Sequence, residues 1–278
     1  MPAQVLEPGL TIHYLDLNPR GFPCVMLLHG LGATCASWQL QTPALVEEGY
    51  RVVAPDMRGF GKSSYPGGNN NPKIMADDIS NLCDKLSIDE LHLVGISLGG
   101  IVALELALSR PARVTSLVIA NSFARLRPKK PSVWVFYLIR LLLVHLLGIE
   151  TQANFIAGRL FPSEEQDLYK QAFRDQVCQS NPSGYRSTMR SLATFDIRSA
   201  VGSIHSPTLI ITGENDTVVP PESQRELVKL IPGANQVFIP DAGHAVTIER
   251  PQQFNQTLCN FLSENRSSEL IDARTDDH

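Results

Sequence analysis

The sequence predicts an α/β protein with a mostly parallel central sheet flanked by helices. Two observations carry this. Short, β-rich apolar runs recur along the 278 residues, and most are continuously apolar rather than alternating, as strands buried on both faces are. Helical stretches separate them, and strand–helix alternation implies parallel pairing through right-handed crossovers. A third observation sets the layout: the rhythm breaks once, between Asn121 and Ser206.

The elements follow in order. LTIHYLDL (10–17) alternates apolar and polar residues, as an antiparallel edge strand would. VMLLHG (25–30) and RVVAPD (51–56) are buried strands, and residues 73–87 form a helix. LHLVGIS (91–97) is a strand that runs directly into a helix over 98–109, and VTSLVIAN (114–121) is the next strand. From there to Ser206 only helix-like segments occur, most simply a helical cap over the sheet. The pattern resumes with PTLIITGEND (207–216), a helix over 222–231, NQVFIPDAGH (235–244) and a helix over 251–263. The expected organisation is a core of residues 1–121 and 206–263, a cap of 122–205 and a polar, acidic tail of 264–278 that is disordered.

Bulk composition narrows the function classes. A hydrophobic share of 43% is enough for one large core. The net charge of −4 and the lack of a long basic run argue against nucleic acid as a partner; the densest basic cluster, RLRPKK (125–130), reads as a solvated loop before a helix. Five scattered cysteines without a CxxC pair suggest neither a disulfide framework nor a zinc site. With an N-terminus that lacks the pattern of a signal peptide, they point to a cytoplasmic protein with reduced thiols.

Chemistry concentrates at strand ends. LVGISLGG (93–100) is strand, G-x-S-x-G, then helix. Gly95 and Gly99 lack the Cβ atoms that would clash in so sharp a turn, which raises the Ser97 hydroxyl above the sheet. A serine hydroxyl needs a base. His244, in DAGHAV after a late strand, fits; His13, His92, His145, His205 and His278 are worse placed, and His29 shapes its own loop. An orienting carboxylate is expected in GENDTVVP (213–220), where Asp216 lies farther from the strand end than Glu214; Asp196 and Asp241 fit better as cap and turn residues. Two backbone N–H groups should hold an oxyanion, one from Leu98 and one from Leu31 in HGLG (29–32). Because only neutral imidazole is a base, activity should rise with pH. Neither RGFGKSS (58–64) nor HGLGATC (29–35) completes a phosphate-binding motif.

HGLG, DMRGFGKSS, GISLGG, GENDTVVP and DAGHAV together resemble the α/β-hydrolase superfamily over residues 10 to 263, with the order Ser97, Asp216, His244 that it uses. The resemblance implies the α/β-hydrolase fold with the cap inserted after the sixth strand, and a structural role for Asp56 and Arg58. Within the superfamily the chain looks like small bacterial carboxylesterases and 3-oxoadipate enol-lactonases. Serine at 97 argues against the dehalogenase and epoxide-hydrolase branches, and Ala245 after the histidine against the carbon–carbon hydrolases. The implied substrate is a small to medium apolar ester or a lactone, cut without metal or cofactor by a monomer or homodimer. A ligand-binding homologue without turnover is the other class considered.

One stretch remains, WVFYLIRLLLVHLL (134–147). Fourteen helical residues span ~21 Å, short of a ~30 Å bilayer core, so no stable membrane insertion is expected. The stretch reads as cap packing, with Trp134, Leu138 and Leu142 as candidates for roofing the Ser97 site; a lid that touches lipid is the alternative.

Overall fold

A computed structural model describes residues 1–125 and 131–266. Its sheet is built from β1 (Ala3–Glu7), β2 (Leu10–Leu17), β3 (Cys24–Leu28), β4 (Arg51–Pro55), β5 (Leu91–Ile96), β6 (Val114–Ala120), β7 (Thr208–Gly213) and β8 (Asn235–Ile239). They lie in the order β1-β2-β4-β3-β5-β6-β7-β8. β1 and β2 pair antiparallel, as do β2 and β4, and all later pairings are parallel. The continuously apolar runs occupy the middle of the sheet: β3, β5 and β7 are buried at every residue. β2 alternates as expected but is not the edge. AQVLE, a five-residue strand with no buried residue, covers it.

Successive residues of each central strand enter different cores. Met26 and Leu28 pack on one face with residues of α2 (Pro72–Lys85) and α3 (Leu98–Ser109), while Val25 and Leu27 pack on the other with Leu45, Phe254 and Leu258. Leu45 comes from α1 (Thr42–Glu47), a short helix without an extended sequence pattern. α2 starts where the Asn71 side chain accepts from the Ile74 N–H at 2.9 Å, with proline at its first position.

Between β6 and β7 the described residues form α4 (Pro131–Leu142), a π-helical turn at Leu143–Leu147, α5 (Gly148–Leu160), α6 (Asp167–Gln179) and α7 (Pro182–Ala193). An isolated bridge joins Arg125 to Asp196, so the excursion leaves and rejoins the sheet at one place. Most of the basic cluster, residues 126–130, lies outside the described residues. The apolar helical run is longer than its fourteen-residue core, extending over Trp134–Leu160. Gly148, at φ +87°, interrupts it.

α8 (Pro221–Leu230), α9 (Val246–Glu249) and α10 (Pro251–Glu264) complete the chain. The packed structure reaches past the expected start of the tail. α10 includes Glu264, and the Arg266 guanidinium stacks 4.1 Å over the Tyr50 ring. Residues 267–278 of that tail lie outside the described residues.

His92 sits inside β5, its Nδ1 2.7 Å from the Ser116 hydroxyl on β6. Burial pushes its pKa down to about 4. The unfolded chain, with an ordinary histidine value near 6.5, binds the proton first. This contribution to stability is therefore complete above about pH 6.5 and lost as pH falls towards 4, by up to ~3 kcal/mol. Chemical denaturation from pH 7 to 4 should show the loss, and His92→Leu should remove that part of the slope.

Candidate active site

The turn after β5 is dictated by sterics. Ser97 adopts φ +54° between strand and helix, and its N–H donates to the Ala120 carbonyl of β6 at 2.9 Å. A Cβ on Gly95 would overlap the Gly99 carbonyl, and one on Gly99 would overlap the Leu28 carbonyl of β3. The helix start can close on the sheet only with glycine at both positions. The Ser122 hydroxyl donates to the Ser97 carbonyl at 2.7 Å and fixes the elbow from β6.

Opposite, the loop after β8 carries His244, and the loop after β7 carries Asp216. His244 Nδ1 lies 2.8 Å from Asp216 Oδ2. The other carboxylate oxygen, Oδ1, accepts from the N–H groups of Val218 at 2.8 Å and Val219 at 2.9 Å. Three donors thus hold a buried carboxylate as an acceptor, so His244 carries its proton on Nδ1 and leaves the Nε2 lone pair for a reacting group. The other carboxylates considered do different work. Glu214 is exposed, Asp241 occupies a turn at φ +52°, and Asp196 pairs with Arg125 and Arg198. Hydrogen bonds from Arg198 hold the Asp196 carboxyl at about 2.

Ser97 and His244 line one cavity of about 240 Å³, together with Gly30, Leu31 and Leu98. Among the described residues no hydrogen bond joins the serine to the histidine, and neither the Leu31 nor the Leu98 N–H has a partner. The rest of the wall is mainly apolar; α4, α5, α6 and α7 supply one part of it, and residues of the sheet side, among them Ile101, Val218 and Ile248, supply the other. Trp134 and Leu138 belong to it. Leu142 does not: it stands in solvent, and Leu141, one residue back and a ~100° rotation away, lines the cavity instead.

His29 shapes its loop, as expected. Its Nε2 accepts from the Met57 N–H at 3.0 Å and its Nδ1 donates to the Gly30 carbonyl at 2.8 Å. Asp56 accepts from the Cys35 and Lys62 N–H groups, and Arg58 pairs with Asp78 and Glu7.

Two residues that position the histidine escaped the sequence reading. Asn121, fully buried at φ +46°, donates from Nδ2 to the Gly243 and His244 carbonyls, each at 2.9 Å, and its Oδ1 accepts from the Gly213 N–H at 2.8 Å. Glu249 accepts from the N–H groups of Gly243 and Ala245 on either side of His244. The available signal was a polar residue closing β6.

The model of the alpha/beta hydrolase fold family matches residues 23–251. The chain belongs to the alpha/beta hydrolase fold family. Among its relatives, a protein of Variovorax paradoxus named "Putative carbamate hydrolase RutD" is 33% identical over 91% of this chain and 97% of its own length. The enol-lactonase structure from Burkholderia xenovorans superposes with a TM-score of 0.86 at 29% identity, covering 94% of this chain and 100% of that one. A malate-bound esterase from Thermogutta terrifontis does so with 0.80 at 27% identity, covering 93% and 95%. Proteins similar to the chain thus include an enol-lactonase, an esterase and one that carries a carbamate-hydrolase name.

Proposed function

We propose that the protein is a serine carboxylic ester hydrolase, with Ser97, His244 and Asp216 as its catalytic triad. The observation that carries this is the 2.8 Å contact between His244 Nδ1 and Asp216 Oδ2 in a loop that faces the Ser97 elbow across one cavity. Ser97 Oγ attacks the ester carbonyl carbon and its proton passes to His244 Nε2. The carbonyl electrons move to oxygen, held by the N–H groups of Leu31 and Leu98. The intermediate collapses, and the alkoxide leaves with the proton from His244. Water then attacks the acyl-enzyme, giving its proton to His244; collapse expels Ser97 Oγ, which recovers that proton. The helices between β6 and β7 act as a cap, and their apolar walls select small to medium acyl groups. A series of p-nitrophenyl esters of increasing chain length tests this. The expected profile has an optimum at short to medium chains, and absence of turnover with every ester would refute it.

A specific observation favours a second reading, an enol-lactone hydrolase. Arg140 lines the cavity with its side chain buried, 5% exposed. Its guanidinium donates to the Tyr185 hydroxyl at 3.2 Å and lies 5.6 Å over the Phe136 ring. With the Gln152 amide oxygen turned towards it, Nε donates to that oxygen at 2.8 Å. No carboxylate pairs with it among the described residues. A buried cation without a counter-ion is costly, and a substrate carboxylate would offset the cost. The enol-lactone of a keto-dicarboxylic acid carries one. Arg140→Met should raise KM at least tenfold for esters or lactones with a free carboxylate. On neutral esters the change should stay within about threefold.

A further inference from the structure

The helix over the cavity is inside out. Its protein-facing side carries Tyr137, which donates to the Val218 carbonyl at 3.1 Å, together with the buried Arg140 and Val144. Its outer side carries Trp134, Val135, Leu138, Ile139, Leu142, Leu146 and Leu147, and Leu146 is 74% exposed. Spacings of three, four and seven residues place most of these on one stripe, ~20 Å long. Over the most apolar eighteen residues of the run, mean hydropathy is 1.6 and only 11% of the residues are buried. Contiguous apolar surface of this kind marks a site of association.

Charge identifies the partner. Residues 126–149 contain no aspartate or glutamate, and besides the buried Arg140 their cations are Arg127, Lys129 and Lys130, all before the helix in the chain, in a protein of net charge −4. Two of them, Lys129 and Lys130, immediately precede α4 in the chain. An apolar helix face led in by lysines fits the boundary of an anionic bilayer. By length and composition the run over Trp134–Leu160 could cross a bilayer, but Gly148 interrupts it and Arg140 and Val144 on its other side are buried against the protein, an arrangement that fits a helix lying along the surface. Trp134 and Leu138 also belong to the cavity wall, so the stripe reaches the cavity.

We propose that the outer face of α4 docks the protein reversibly on anionic lipid surfaces, lying in the head-group plane with the cavity turned towards the membrane. The proposal is independent of which ester is cut. A second copy of the chain would cover the stripe equally well but gives no reason for the lysines that precede the helix in the sequence.

The test is co-sedimentation of the full chain with vesicles of phosphatidylcholine alone and of equal parts phosphatidylcholine and phosphatidylglycerol. Binding to the anionic vesicles is expected to be at least tenfold tighter and to weaken with salt. V135Q/I139Q/L146Q, outside the cavity wall, should lower binding at least tenfold and leave hydrolysis of soluble p-nitrophenyl acetate unchanged, so the fold is checked independently. K129Q/K130Q should lower the preference for anionic vesicles about tenfold. The proposal is overturned if the wild type ignores both vesicles, or if the triple variant binds as well as the wild type. It is also overturned if sedimentation shows a dimer that the triple variant dissociates. Loss of p-nitrophenyl acetate hydrolysis in Ser97→Ala with vesicle binding retained would separate the two readings.

Discussion

Ser97→Ala should lower kcat for p-nitrophenyl esters by about 10⁶-fold, the scale on which a serine nucleophile acts as a unit with its base. KM should change little, because the apolar walls of the cavity do not involve the hydroxyl. The fold should survive. Ser97 stands at φ +54°, which alanine tolerates no better, but its backbone bonds to Ala120 and Ser122 are unaffected by the side chain. A melting temperature within a few degrees of the parent would confirm that the loss is chemical, and activity above 1% of the parent would remove Ser97 from the mechanism.

The second large effect concerns Asp216. Replacing it by asparagine keeps the shape but offers an amide where a carboxylate now accepts from His244 and from two backbone N–H groups. With the amide N–H₂ facing the ring, Nδ1 must become the acceptor, and Nε2 then carries the proton and cannot act as a base. The expected loss is about 10⁴-fold in kcat, on the scale measured for the equivalent change in a serine protease. Asp216→Asn should be partly rescued by raising the pH, since hydroxide supplies the missing base. Glu214→Gln, at an exposed position, should stay within twofold of the parent.

How far the site could be read from sequence depends on the range of the forces that build it. The elbow was legible because its constraint is local: Gly95 and Gly99 are required by contacts between neighbouring turns and the adjacent strand. The central strands were legible because burial on both faces leaves an unbroken apolar run, as in Cys24–Leu28. β1 was not, since its five residues are half-buried or exposed and its pairing to β2 supplies what periodicity does not. Asn121 and Glu249 work through backbone groups that no residue pattern marks; Asn121 reaches Gly243, 122 positions away. Leu142 shows another limit. An apolar helix with leucines all round does not announce which side faces in, and Arg140, the one lysine or arginine of residues 134–147, is the residue that turned inward. The buried arginine fixes the helix rotation and brings Leu141 rather than Leu142 to the cavity.

The central claim is that Ser97 is the nucleophile. Incubation with a fluorophosphonate probe, followed by peptide mass mapping, tests it most directly. The account predicts one adduct, on the peptide containing Ser97, formed in step with loss of esterase activity and absent in Ser97→Ala. An adduct on another residue, or full ester turnover by protein that carries the adduct on Ser97, would contradict it.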